Sequence, residues 1–244
     1  MFKENYISLS QNTLIRDGMN SFSISKFTKL VLEQENIFNK SISAVVKTSL
    51  VQIRGYRSLV HSVKSLKETK FQVDNSKHTN ILKEIWNGLL PNEPFSLNSK
   101  LWSDVGFQGT NPSTDFRGTG VLGAQNLAYF IKHFHEYASI VHSGSVDAKY
   151  WYPFATAGIN LTDLTWRLLE DGSLKTHFYN SFTKAPSLIN FHDVYVSIFV
   201  KFHKLWMKQP RSVMEFNSVV MHFEKDLRKQ LDNECFTFIL PGNK

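Results

Sequence analysis

Cysteine is nearly absent from this sequence: Cys235 is the single one in 244 residues. One thiol closes no internal disulfide and supplies no zinc site built on paired cysteines, so a reducing compartment is expected. Long apolar runs are missing as well. The most apolar region, LINFHDVYVSIFVKFHKLWM, is interrupted by Asp193, Lys201 and two histidines, and the opening residues MFKENYISLSQNTL hold no apolar signal core. Neither a membrane span nor secretion is expected, which points to the cytoplasm and makes the sequons at Asn39 and Asn160 chance matches. No GxxxxGKS loop occurs, so the chain is not expected to bind a nucleoside triphosphate itself.

Acidic residues are missing from one long interval. Between Glu35 and Glu68 there is none, while Lys40, Lys47, Arg54, Arg57, Lys64 and Lys67 all occur. Residues 1–80 hold 12 Lys and Arg against 6 Asp and Glu, so +6 of the +7 net charge lies in the first third. Lys40, Lys47, Arg54 and His61 recur every seven positions, and Arg57 and Lys64 share that period, so a helix gathers them into one stripe. The stripe is either an ordinary solvated face or a surface for an anionic membrane. Nucleic acid is not expected, because no zinc finger, RNA-recognition motif or KH signature accompanies the charge and no aromatic residues interleave with it.

Strict alternation of apolar and polar residues is nearly absent, whereas apolar residues recur at three- and four-residue spacing through almost every long segment. The fold class is therefore all-α, a single irregular multi-helix domain with helices near 24–38, 42–67, 78–90, 120–142, 155–170, 188–208 and 212–232. Hydrophobic residues at 42%, with 20 phenylalanines and five tryptophans, predict a large aromatic core that takes in all five tryptophans. The stretch TKFQVDNSKHTN near 69–80 is the one joint, dividing a basic N-terminal helical segment (1–75) from residues 76–238, packed together as one unit. Among the nine histidines, His133 and His135 sit two apart, so they point to different sides of a helix and hold no metal between them. Cys235, in the apolar run CFTFIL, reads as a packing residue.

One stretch departs from the helical pattern. GFQGTNPSTDFRGTG, from Gly106 to Gly120, places four glycines, one proline and one arginine between two helix-like segments. Trp102 precedes Gly106 by four residues, the spacing that sets an anchor over one helical turn. Arg117 is the single strong cation of the loop, and from Gly120 onward GVLGAQNLAYFIKHF resumes helical periodicity.

Trp102, Gly106, Phe107, Gln108, Pro112, Asp115, Arg117, Gly120 and Leu122 together resemble the signature of the ELMO domain family. WYPFATAGINLTDL at 151–164 is similar to a second block of that family, and ILKEIWNGLLP at 81–91 to the segment before the signature, so the resemblance spans about 78–235. Ala124 departs from the larger aliphatic residue usual there. The resemblance implies an all-helical ELMO-like domain. In smaller family members the arginine of Asp-x-Arg carries GTPase-activating activity toward Arf-family GTPases; the larger scaffolds lack it and assist DOCK exchange factors. This chain has Arg117 and no proline-rich PxxP tail, so the resemblance implies a GTPase activator whose partner is an Arf-family small GTPase with bound GTP.

In that reading Arg117 is catalytic, Gly106, Gln108, Thr114, Asp115, Gly118 and Gly120 meet the partner, and Lys40, Lys47, Arg54, Arg57 and Lys64 meet a membrane surface. No cofactor or metal of its own is required. The alternatives are a non-catalytic adaptor that binds a small GTPase or exchange factor, and a membrane-binding module led by the basic helix. For Arg117 the structural alternative is a buried pair with Asp115, which could also hold the guanidinium at rest. Gln108 reads as a loop-packing amide ahead of a water-orienting one, Thr114 or Asp115 as a turn cap, and Asn160 as a buried amide between helices.

Overall fold

The computed structural model describes residues 23–36 and 39–242. Among them are ten α-helices, two 3-10 segments and no strand. In chain order the helices are α1 (Ile24–Gln34), α2 (Lys40–Glu68), α3 (Ser76–Leu89), α4 (Leu101–Asp104), α5 (Gly120–His133), α6 (His135–Ser145), α7 (Phe154–Glu170), α8 (Lys175–Ser181), α9 (Leu188–Trp206) and α10 (Phe216–Leu231). The 3-10 segments are Pro112–Gly118 and Val213–Glu215. All-α is what the apolar periodicity predicts.

Chain starts follow local chemistry. Ser23 caps α1 by accepting from the Lys26 N–H at 3.3 Å, and Asn75 caps α3 by accepting from the Lys77 N–H at 3.0 Å. Ser212 and Glu215 form a reciprocal capping box ahead of α10. Two expectations of extent change. The single helix expected over 120–142 breaks at Phe134, whose φ −130° and ψ 44° leave the helical region between α5 and α6; no glycine or proline marks the site. Helix α8 lies in a stretch expected to be turns.

Two compact units account for the contacts, one formed by residues up to Leu59 with Phe178–Ser187, the other by Val60–His177 with the residues from Leu188 on. The division falls within α2 and again within α8. The stretch expected as a joint, 69–80, forms the turn and first residues of α3 inside the larger unit. In the smaller unit Phe27 and Val31 of α1 pack with Val46 and Leu50 of α2. There too the Gln52 amide donates to the carbonyl of Tyr179 at 3.2 Å and to that of Phe182, and the Tyr56 ring meets Phe178 edge-on at 5.7 Å.

In the larger unit α5 is buried on most of its circumference and packs against α3, α6, α7 and α9. A helix apolar all round belongs inside. Trp86, Trp102 and Trp206 are fully buried, and each indole N–H reaches a carbonyl, those of Glu93, Ser96 and Tyr150 respectively. Such partners remove the cost of burying the indole N–H. Trp151 corrects the expectation of an all-core set: it is 47% exposed. Cys235 is also exposed, because its N–H bonds the Asn233 side chain in a turn that leaves the thiol outside while Phe238 packs inward.

Candidate functional site

The site begins with an anchor. Trp102 of α4 lies under the loop, 4.8 Å from the Trp86 ring and 5.3 Å from Phe107, and its carbonyl accepts from the Phe107 N–H at 3.0 Å. Gly106 then turns the chain with φ +93°, a region that side chains rarely enter. This turn aims two carbonyls at the start of α7. Val105 O accepts from the Ala155 N–H at 3.1 Å; Gly106 O accepts from the Thr156 N–H at 3.1 Å and its hydroxyl at 2.9 Å. First-turn N–H groups of a helix have no partner within the helix, so the glutamine loop and the YPF block complete each other.

Beyond Gln108 the chain enters the 3-10 segment. Asn111 caps it, accepting from the Ser113 N–H at 3.0 Å and hydroxyl at 2.7 Å, so the cap lies one turn earlier than Thr114 or Asp115. Phe116 is 1% exposed and packs between Phe71 (4.9 Å) and Phe107 (5.7 Å). Its neighbours are thereby fixed at the surface. Asp115 is half-buried, accepting from the Gln108 N–H at 2.7 Å and from the Thr114 hydroxyl at 3.2 Å. Burial raises its pKa, opposed by those two hydrogen bonds and by the Arg117 charge.

Arg117 is exposed. Among the described residues it forms neither a hydrogen bond nor an ion pair, and Asp115 spends its oxygens on Gln108 and Thr114. The expected alternative of a buried Asp115–Arg117 pair is therefore corrected: the carboxylate braces the loop, and the guanidinium is left to solvent. Asp115 and Gly118, which flank Arg117 closely in sequence, both line a polar cleft of about 310 Å³. Its other walls include Gln108 and, from α7, Thr156, Asn160 and Asp163. Asp163 is paired with Lys67 at 3.4 Å and Arg167 at 3.2 Å.

The residues expected to meet a partner divide by position. Gln108, Thr114 and Gly118 are exposed, and a side chain added at Gly118 would meet nothing within 4 Å. Gly106 and Gly120 are buried, and both are glycines for reasons internal to the fold. A Cβ at Gly106 would lie 2.4 Å from the Phe154 nitrogen; one at Gly120, where φ is +56°, would lie 2.3 Å from the Lys67 carbonyl oxygen and 2.4 Å from that of Thr69. At Gly120 the following N–H, of Val121, donates to Thr69 O at 3.0 Å, seating α5 on the end of α2. These two glycines shape the loop and present no side-chain-free surface to a partner.

Asn160 reverses its expected place. It is exposed, its amide donating to Thr156 O at 2.8 Å, and it faces the cleft; the buried amide between helices is Asn126, which donates to the Thr162 hydroxyl at 3.0 Å. Thr156, Asn160 and Asp163 went unread as site residues, although their spacing of four and three gives one helical face. Of the basic stripe, Lys40, Lys47 and Lys64 are exposed, Lys64 beside Glu68 at 3.8 Å. Arg54 and Arg57 are half-buried.

Residues 61–220, which contain the whole site, match the ELMO/CED-12 family. The chain belongs to that family. Among its relatives, ELMO domain-containing protein 1 of Mus musculus is 39% identical over 233 residues, covering 86% of this chain and 72% of that protein. ELMO domain-containing protein 2 of Homo sapiens is 33% identical over 232 residues, covering 92% and 79%. ELMO domain-containing protein B of Dictyostelium discoideum is 34% identical over 197 residues, covering 80% and 68%. Within this ELMO domain the two blocks Gly106–Gly120 and 151–164 are hydrogen-bonded to each other and share the cleft that Gln108, Asp115 and Gly118 line. Among the described residues no helix is long and apolar enough to cross a membrane.

Proposed function

We propose that the protein is a GTPase-activating protein for Arf-family small GTPases and that it inserts Arg117 into the partner's nucleotide site. One observation supports the reading: Arg117 is exposed and, among the described residues, forms no hydrogen bond or ion pair, on a turn that Phe116 and Asp115 brace. A structural arginine is normally spent on a partner within its own fold, whereas a donated one is presented to the surface with its backbone already fixed.

The chemistry fits the side chain. Phosphoryl transfer from GTP passes through a loose transition state with charge spread over the phosphoryl oxygens, so the contribution required of a second protein is one positioned positive group. Guanidinium stays charged and offers a planar fork to two oxygens, which an ammonium does not. An arginine supplied in trans accelerates hydrolysis roughly 10³–10⁵-fold, about 4–7 kcal/mol in the barrier. The GTPase brings nucleotide, magnesium and the residue that positions water. Asp115 acts through the backbone: by holding the Gln108 N–H it ties the two ends of the loop together, so little ordering is left for the moment of docking.

The experiment is a GTP-hydrolysis screen of Arf-family proteins with the wild-type chain, Arg117→Ala and Arg117→Lys. The reading expects at least one GTPase to respond to wild type and to neither variant. A GTPase that binds without faster hydrolysis would instead assign the cleft to an adaptor.

A further inference from the structure

In the smaller unit, far along the sequence from Arg117, α1 and α2 enclose a cleft of about 470 Å³. The lining is amphipathic, its surface mostly apolar with ammonium and hydroxyl groups set into it: Ser25, Thr28, Lys29 and Leu32 come from α1, and Lys40, Ser43 and Lys47 from α2. Glu33 also lines it and lies 3.7 Å from Lys29, one turn away on α1, so that carboxylate is already balanced. Lys40 and Lys47 are exposed and have no ion pair among the described residues. They stand two turns apart on one face of α2, with the Ser43 hydroxyl between them, in the interval that holds no acid.

From this arrangement we propose that the α1–α2 cleft binds the phosphomonoester headgroup of an anionic membrane lipid. Two unbalanced ammonium groups with hydroxyls between and opposite them suit a compact, multiply charged anion; ammonium is a strongly hydrated point charge that takes phosphate without needing a planar partner. The pocket volume lies within the range of small-molecule sites, large enough for a headgroup. A lipid is favoured over a soluble phosphate by the apolar surface on the same two helices. Leu30 of α1 and Val45 of α2 are 44% and 54% exposed, surface that a lipid interface covers and water does not favour. No residue that lines the cleft belongs to the loop that carries Arg117, so the proposal stands independently of the GTPase reading.

The test uses the full chain with phosphatidylcholine vesicles, with and without phosphatidic acid, in a sedimentation assay. Wild type is expected to bind the phosphatidic acid vesicles and to release with added salt. The double variant Lys40→Gln, Lys47→Gln is expected to bind about 25-fold more weakly, from roughly one unit of surface attraction lost per lysine. Lys77→Gln serves as the control, since it removes an exposed lysine that has no ion pair among the described residues and lies outside the cleft, and is expected to bind like wild type. No wild-type binding overturns the proposal; so does a Lys77→Gln loss per charge as large as that of the cleft lysines, which would mean diffuse attraction. In a second arm, inorganic phosphate is titrated without vesicles while the Ser43 and Lys47 amide resonances are followed. Saturation at submillimolar phosphate would assign the cleft to a soluble ligand and overturn the lipid.

Discussion

Replacing Gly106 with alanine should damage the fold far more than the same change twelve residues later, at Gly118. At Gly106 the backbone holds φ +93°, which costs an L-residue about 1–3 kcal/mol. The added methyl would also lie 2.4 Å from the Phe154 nitrogen and 2.8 Å from the Pro153 carbonyl carbon, and backbone cannot swing aside as a side-chain tip does. Moving the start of α7 away stretches the bonds from Ala155 and Thr156 to Val105 O and Gly106 O, each worth about 1 kcal/mol. Together these give a loss of about 3–5 kcal/mol. At Gly118 φ is not in the left-handed region and the space is open, so alanine should change stability by no more than about 1 kcal/mol, in the stabilising direction. Urea unfolding of both variants, compared at constant slope, measures the difference. A Gly106→Ala midpoint within error of wild type would refute the claim that this turn is held against α7.

Stability should fall on acidification because burial lowers His177, His192 and His203 to a pKa of about 4. The unfolded chain takes up their protons near 6.5 and the folded chain does not until about 4, so their stabilisation is complete above 6.5 and is lost as pH falls, up to ~3 kcal/mol each. Asp115 works the other way, since its raised pKa makes the folded state the better proton acceptor as pH falls. Equal unfolding midpoints at neutral and mildly acidic pH would contradict the histidine argument. Asp115→Ala should weaken GTPase activation through disorder of the 106–118 loop and cost roughly 1–2 kcal/mol of stability, while Asp115→Asn, which still accepts from the Gln108 N–H, should lose less of both; equal effects would show that the brace is not that hydrogen bond.

Much of this was legible in the sequence for physical reasons. Apolar spacing of three and four residues reports directly on which helix faces are buried, so α2, α3, α7 and α9 lie close to their expected spans. The α5–α6 break at Phe134 was not legible, since KHFHE holds no glycine or proline to mark it. Arg117 stood out because one cation sat in a loop of glycines. What no pattern could decide was where Asp115 spends its oxygens: the carboxylate could pair with the side chain two residues on or with a backbone N–H seven residues back, and only the turn at Gly106 brings the latter within reach. Asn160 was misplaced because an amide in an apolar helix reads as buried. Its spacing from Thr156 and Asp163 shows the polar face once the three are taken together.

The central claim, that Arg117 completes a partner's hydrolytic site, is tested most directly by single-turnover GTP hydrolysis of a responsive Arf-family GTPase with Arg117→Lys, alongside the variant's unfolding midpoint. Because the side chain is exposed and unpaired among the described residues, the midpoint should stay within about 0.5 kcal/mol of wild type. Because lysine lacks the planar fork, acceleration should fall by about 10³-fold or more. A variant that keeps wild-type acceleration would contradict the account, and one that loses several kcal/mol of stability would return Arg117 to a structural role.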